Sequence, residues 1–146
     1  MKSTFLRPAL AVLACAAALA LASPSLAAVV KMKADLSAAN EVPPAKSNGS
    51  GKVEVTYNTG THMMSWNGSY SGLSGPAIAA HFHAGEKGKN GGVAVPIFAG
   101  PTAKSPFSGE KKLTDAQGQQ LMSGGWYVNI HTAANKAGEI RGQVMK

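Results

Sequence analysis

Two histidines, His81 and His83, stand two positions apart in "AAHFHAGEKGKNGG" (residues 79–92), and a third, His131, lies in "WYVNIHT" (residues 126–132). Imidazole nitrogen is a good ligand for copper, zinc and iron, so three such rings around one ion would leave a coordination position open. Residues i and i+2 of a strand share a face and lie about 6.6 Å apart. Both rings can then reach an ion at roughly 2.0 Å. The competing reading is polar surface on a solvated strand. The fourth histidine, His62, opens a stretch whose even positions carry Met64, Trp66 and Tyr70, which assigns it to packing or a turn. Met63 and Met64 are adjacent, point to opposite faces of a strand and form no chelating pair.

The elements that carry these residues read as strands. Alternation puts His81 and His83 on one face of a strand near residues 77–83, with Ile78, Ala80 and Phe82 on the other. In "WYVNIHT", Trp126, Val128 and Ile130 share the apolar face, opposite Tyr127, Asn129 and His131. In "GEIRGQV", Ile140 and Val144 point inward, and Glu139, Arg141 and Gln143 point outward. The distance along the chain does not decide whether His131 adjoins the other pair.

Elsewhere, Val30, Met32, Ala34 and Leu36 alternate with charged residues in a first strand. "AANEVPPAKSNGSG" follows as a loop, because its prolines cannot donate ladder hydrogen bonds. "KVEVTYNTGTHMMSWNGSY" is a hairpin turning at "NTG", and "GGVAVPIFAG" supplies a strand around Val93, Val95 and Ile97. A helix-start residue at Thr114 or Asp115 leaves room for one short helix. These features predict an all-β chain, an antiparallel β-sandwich or Greek-key barrel.

Residues 1–27 read as a cleaved signal peptide: Lys2 and Arg7 at the front, an alanine- and leucine-rich run to Ala22, and small residues at Ser25 and Ala27. The run is shorter than the roughly 20 residues that span a bilayer, so no stable membrane span is expected. Cys15 lies inside that run, where an acylation site would close it. The remaining residues, 28–146, suit a single domain and contain no thiol, which leaves His, Met, Asp and Glu as metal ligands. They carry twelve basic residues against seven acidic ones. The lysines are scattered, without the basic stripe and interleaved aromatics of a nucleic-acid binder. No Gly-x-Ser-x-Gly elbow and no phosphate-binding loop occurs, and the carboxylates are too dispersed to single out a glycosidase pair.

"AAHFHAGEKGKNGGVAVPIF" and "GWYVNIHTAANKAGEIRGQV" together resemble the CHRD, or chordin-like, domain family, in an exported single-domain bacterial form. The resemblance extends over essentially all of residues 28–146. It implies the family's recurrent histidines at His81, His83 and His131 and its last-strand arginine at Arg141. The pattern is also similar, by analogy, to copper-containing superoxide dismutases. Their cysteines and zinc-subsite aspartate have no counterpart here, which implies a mononuclear centre.

The resulting expectation is a periplasmic or secreted domain that dismutates superoxide at a transition metal, copper first, with iron and zinc left open. His81, His83 and His131 would be the ligands, Arg141 would attract the anion, and Glu139 and Asn129 would orient imidazoles. The alternatives are a non-catalytic carrier of copper or another transition metal, and a structural or adhesive extracellular module. The oligomeric state is left open.

Overall fold

The computed structural model describes residues 26–146; the expected signal peptide, apart from Leu26 and Ala27, lies outside the described residues. Eight antiparallel strands form: β1 (Val29–Ser37), β2 (Ser50–Asn58), β3 (Met63–Ser71), β4 (Ala77–Ala84), β5 (Val93–Ala99), β6 (Phe107–Lys112), β7 (Trp126–Thr132) and β8 (Ile140–Gln143). One helix, α1 (Asp115–Met122), connects β6 to β7. The strands make one sheet in the order β5-β4-β7-β8-β1-β2-β3-β6, curled into a nearly closed barrel. Aromatic rings fill the seam between the edge strands: Phe98 meets Phe107 edge-on at 5.4 Å, and Tyr70 lies 6.2 Å from each.

The barrel interior follows from the alternation. Met32, Ala34 and Leu36 from β1 pack with Val53 and Val55 from β2, Phe82 from β4, and Trp126, Val128 and Ile130 from β7. Each large apolar side chain removed from water contributes roughly 1.5–3 kcal/mol. The T-shaped contact of Trp66 with Phe82, 5.2 Å between centroids, fixes how two of these rings interlock. Helix α1 starts where its signal falls: Thr114 Oγ1 accepts from the Gln117 amide at 3.2 Å, and Gln117 Oε1 accepts from the Thr114 amide at 3.0 Å.

The alternation fails in two places. Ile78, expected inside, is exposed, and Ala77 takes the buried position. The pairing of β4 with β7 skips a residue between Ala77 and Ala79, and such an irregularity reverses the facing of the residues before it. In β5, Val93 is exposed, Val95 and Phe98 are buried and Ile97 packs against the core partly buried, and the strand shifts register twice against β4. Strand β6 was not anticipated from the sequence. "FSGEKK" offers one partly buried apolar residue, and its pairing with β3 supplies what its composition does not.

Candidate metal centre

Three strands build the site on the outer face of the barrel. In the ladder of β4 with β7, Ala79 lies opposite His131, His81 opposite Asn129, and His83 opposite Tyr127. In that of β7 with β8, Asn129 lies opposite Arg141 and Tyr127 opposite Gln143. Parity therefore places the three histidines away from the apolar core, as expected, and this pairing settles that His131 adjoins the other two. They are nonetheless not on wet surface. His83 and His131 are 9% and 8% exposed, and His81 is half-buried.

Ligand-type atoms of His81, His83 and His131 all lie within 4.8 Å of one another. The His83 Nδ1–H donates to the Gly91 carbonyl at 2.9 Å, and the His131 Nδ1–H donates to the Lys136 carbonyl at 2.9 Å. Both bonds select the tautomer whose Nε2 lone pair is free. His81 Nδ1 is 3.1 Å from His131 Nε2. Two nitrogens bound to one ion at roughly 2.0 Å, at angles of about 90–110°, are separated by about 2.8–3.3 Å. The spacing thus suits a shared ion as well as a hydrogen bond.

Burial, followed by the neighbouring His131 and His83, pushes the pKa of His81 below its ordinary value. Burial also lowers that of His131, against the Lys136 carbonyl, and His83 adds to the lowering. Both shifts favour the neutral forms of His81 and His131, with the His131 Nε2 lone pair directed at His81 Nδ1. The Nε2 of His83 is a buried polar atom with no hydrogen-bond partner among the described residues, a condition that ordinarily costs roughly 1–3 kcal/mol. The three rings could hold a metal ion, His81 through Nδ1 and the other two through Nε2.

The residues expected beside the ligands have other duties. Glu139, fully buried, accepts from Ser47 Oγ at 2.5 Å, Ser74 N and Oγ at 2.6 Å each, Thr132 Oγ1 at 2.5 Å and Asn135 Nδ2 at 3.1 Å. Burial would raise its pKa, but the bonds from Ser47, Ser74 and Thr132 win and bring it down to about 2. Through Thr132 and Asn135 it shapes the turn that presents the Lys136 carbonyl. Asn129 Nδ2 donates to the Ala137 carbonyl at 3.3 Å. Backbone carbonyls, rather than Glu139 or Asn129, hold the His83 and His131 imidazoles.

Arg141 was expected to point outward. It lies on the outer face but is only 2% exposed, covered by residues 85–91. His62 sits apart, at a backbone φ of 60°, with Nδ1 3.1 Å from the Tyr57 hydroxyl and Nε2 3.6 Å from Asp115. It joins the β2–β3 turn to the start of α1.

Sequence reasoning passed over Glu41, which sits in the loop after β1 and is buried with Oε1 unpartnered. Burial pushes its pKa up to about 7, against Arg141, Asn129 and the Val42 backbone, which lower it. Its nearest signal, a lone carboxylate before two prolines, says nothing of burial. Gly138, at φ 137°, closes over this group: a Cβ there would strike Glu41 Oε1. Tyr127 was placed on the correct face but given no role; its ring stacks on His83 at 4.9 Å and 4°.

Fold and site together define a class: an antiparallel β-barrel domain with a covered tris-histidine cluster on its outer face. The CHRD domain family profile matches residues 32–144, from β1 through the residue after β8, and this chain belongs to that family. Neither a curated protein nor a solved structure matches the chain. Among the described residues no helix is long and apolar enough to cross a membrane.

Proposed function

We propose that this CHRD domain is an exported superoxide dismutase that holds one copper ion through His81 Nδ1, His83 Nε2 and His131 Nε2. The observation that carries the reading is the buried, unpartnered Nε2 of His83 beside the His81–His131 pair. The chemistry supplied by bound copper is one-electron transfer, taken from one superoxide and returned to another, with solvent protons completing peroxide. The chain's own part is to keep the His81 and His131 imidazoles neutral by burial and to fix the His83 and His131 rings through the Gly91 and Lys136 carbonyls. Half-buried His81 leaves an approach from solvent. The excess of basic residues raises the local concentration of a small anion. The leader-like residues 1–27 support export to the periplasm or the exterior.

Loading the purified protein with copper tests the reading. One equivalent should bind, the electron paramagnetic resonance spectrum should show nitrogen couplings, and superoxide consumption should exceed that of buffer and of free copper removed by chelator. Copper bound without turnover would make the protein a carrier. No binding of copper, iron or zinc would leave a structural or adhesive domain.

A further inference from the structure

Arg141 touches the candidate centre only through intermediaries, and both lead to His83. Its guanidinium donates to the Lys89 carbonyl at 2.6 Å, the Glu86 carbonyl at 3.4 Å and Asn90 Oδ1 at 3.0 Å, so one side chain gathers three residues of the β4–β5 loop. The next residue in that loop, Gly91, supplies the carbonyl that binds His83 Nδ1. Gly91 is packed so closely on β4 that a Cβ would run into the Ala84 carbonyl.

The second route is a stack. Arg141 Cζ lies 3.4 Å from the centroid of the Tyr127 ring, on which His83 stacks. Arg141 comes from β8 and His83 from β4, on opposite flanks of β7. The Tyr127 hydroxyl also accepts from the Gly91 amide at 3.1 Å. The tyrosine therefore links both routes.

We propose that Arg141 is a positioning residue: it clamps residues 86–91 and the Tyr127 ring so that His83 keeps its Nδ1–H on Gly91 and aims Nε2 at His81 and His131. The Tyr127 ring standing between Arg141 and His83, together with the loop covering the guanidinium, disfavours direct contact with an anion at the centre. A lysine cannot replace it, because a point charge has neither the fork that reaches three acceptors nor the flat face that stacks.

The inference rests on the metal-centre reading for its copper measurements, whereas the His83 tautomer is read in metal-free protein and stands without it. In nitrogen-15 NMR of the purified wild type, His83 should be a single Nδ1–H tautomer. Arg141→Lys should give a mixture of His83 tautomers while His131, held by Lys136, stays unchanged. Its dissociation constant for Cu(II), read by chelator competition, should rise about 10- to 100-fold. Tyr127→Phe keeps the stack but loses the hydroxyl on Gly91, and should move both readouts in the same direction by less. If Arg141→Lys does not fold, Tyr127→Phe and Asn90→Ala carry the test.

A folded Arg141→Lys protein with the wild-type His83 tautomer and a copper affinity within about twofold would overturn the proposal. So would equal disturbance of all three histidines, which marks general loosening. Unchanged tautomer and copper affinity with slower, less salt-sensitive superoxide consumption would return Arg141 to anion guidance. If wild type takes up no Cu(II), the copper reading is refuted and the tautomer comparison alone decides the clamp.

Discussion

The outer face of the barrel differs sharply between its two halves, although the inner faces are built alike. On β1, β2 and β3 the outward residues Lys31, Lys33, Asp35, Lys52, Glu54, Ser65 and Asn67 are exposed. On β4, β7 and β8 the outward residues His83, Tyr127, Asn129, His131 and Arg141 are buried, although all five carry a polar or ionisable group. Loop segments make the difference: 41–49, 85–92 and 133–138 fold over the second half and hydrogen-bond to it. Alternation determines which way a side chain faces, whereas the chain beyond the strand determines whether water meets it. The energetic stakes differ accordingly. The exposed Lys33–Asp35 pair, 3.4 Å apart, contributes roughly 0–1 kcal/mol, while a buried polar group deprived of its partners costs several times more.

Substitutions on the two halves should separate cleanly. The largest effect is expected at the ligands: His81→Ala, His83→Ala and His131→Ala should each abolish stoichiometric copper binding, while His62→Ala retains it. Metal analysis after desalting reads the result, and retention by all three ligand variants would dissolve the contrast. Next comes Glu139→Ala, which strands donors from three chain segments and should destabilise the fold by about 3 kcal/mol or more in urea. Glu54→Ala, on the open half, should stay within about 0.5 kcal/mol.

The two covered carboxylates should respond oppositely to pH. Glu139, at about 2 folded against an ordinary 4.5, contributes stability that is complete above pH 4.5 and lost as pH falls toward 2. Glu41, raised to about 7, retains its proton in the fold where the unfolded chain releases it. Its ionisation therefore removes stability as pH rises from 4.5 to 7, with no further change above. Glu41→Gln should accordingly raise the melting temperature at pH 8 and leave it nearly unchanged at pH 4. An equal change at both values would show that Glu41 is no more shielded than the lysine face. The smallest effect is expected at Lys33→Ala, within about 0.5 kcal/mol by the same urea measurement.

The architecture was largely legible because apolar and polar residues alternate cleanly in β1, β2, β3 and β7. The failures were local. Ile78 was misplaced because a skipped pairing residue has no compositional mark, and β6 was overlooked because an edge strand of Lys, Glu and Ser looks like a loop. At the site, parity identified the face shared by His81, His83 and His131. What covers that face lay beyond reach: the bonds of Glu139 to Ser47 and Ser74, and the placing of Glu41 under Gly138, join residues far apart in the chain through loop geometry. The same loops decided how Arg141 is used, since its facing was readable and its cover was not.

The position of β8 also makes the fold depend on contacts of long sequence separation. This strand inserts between β7 and β1, pairing Arg141 with Ser37, and just beyond it Met145 bridges to Lys33. The carboxylate of Glu139 meets Ser47 across 92 positions of sequence. Contacts of such long separation close slowly, after local hairpins such as β2–β3 have formed. A chain still waiting for residues 126–143 has His81 and His83 on one strand but neither His131 nor the Arg141 clamp. Bringing the three imidazoles together therefore requires β7 to pair with β4 across 50 positions of sequence, a step that does not itself depend on β8 or on the seam between β5 and β6.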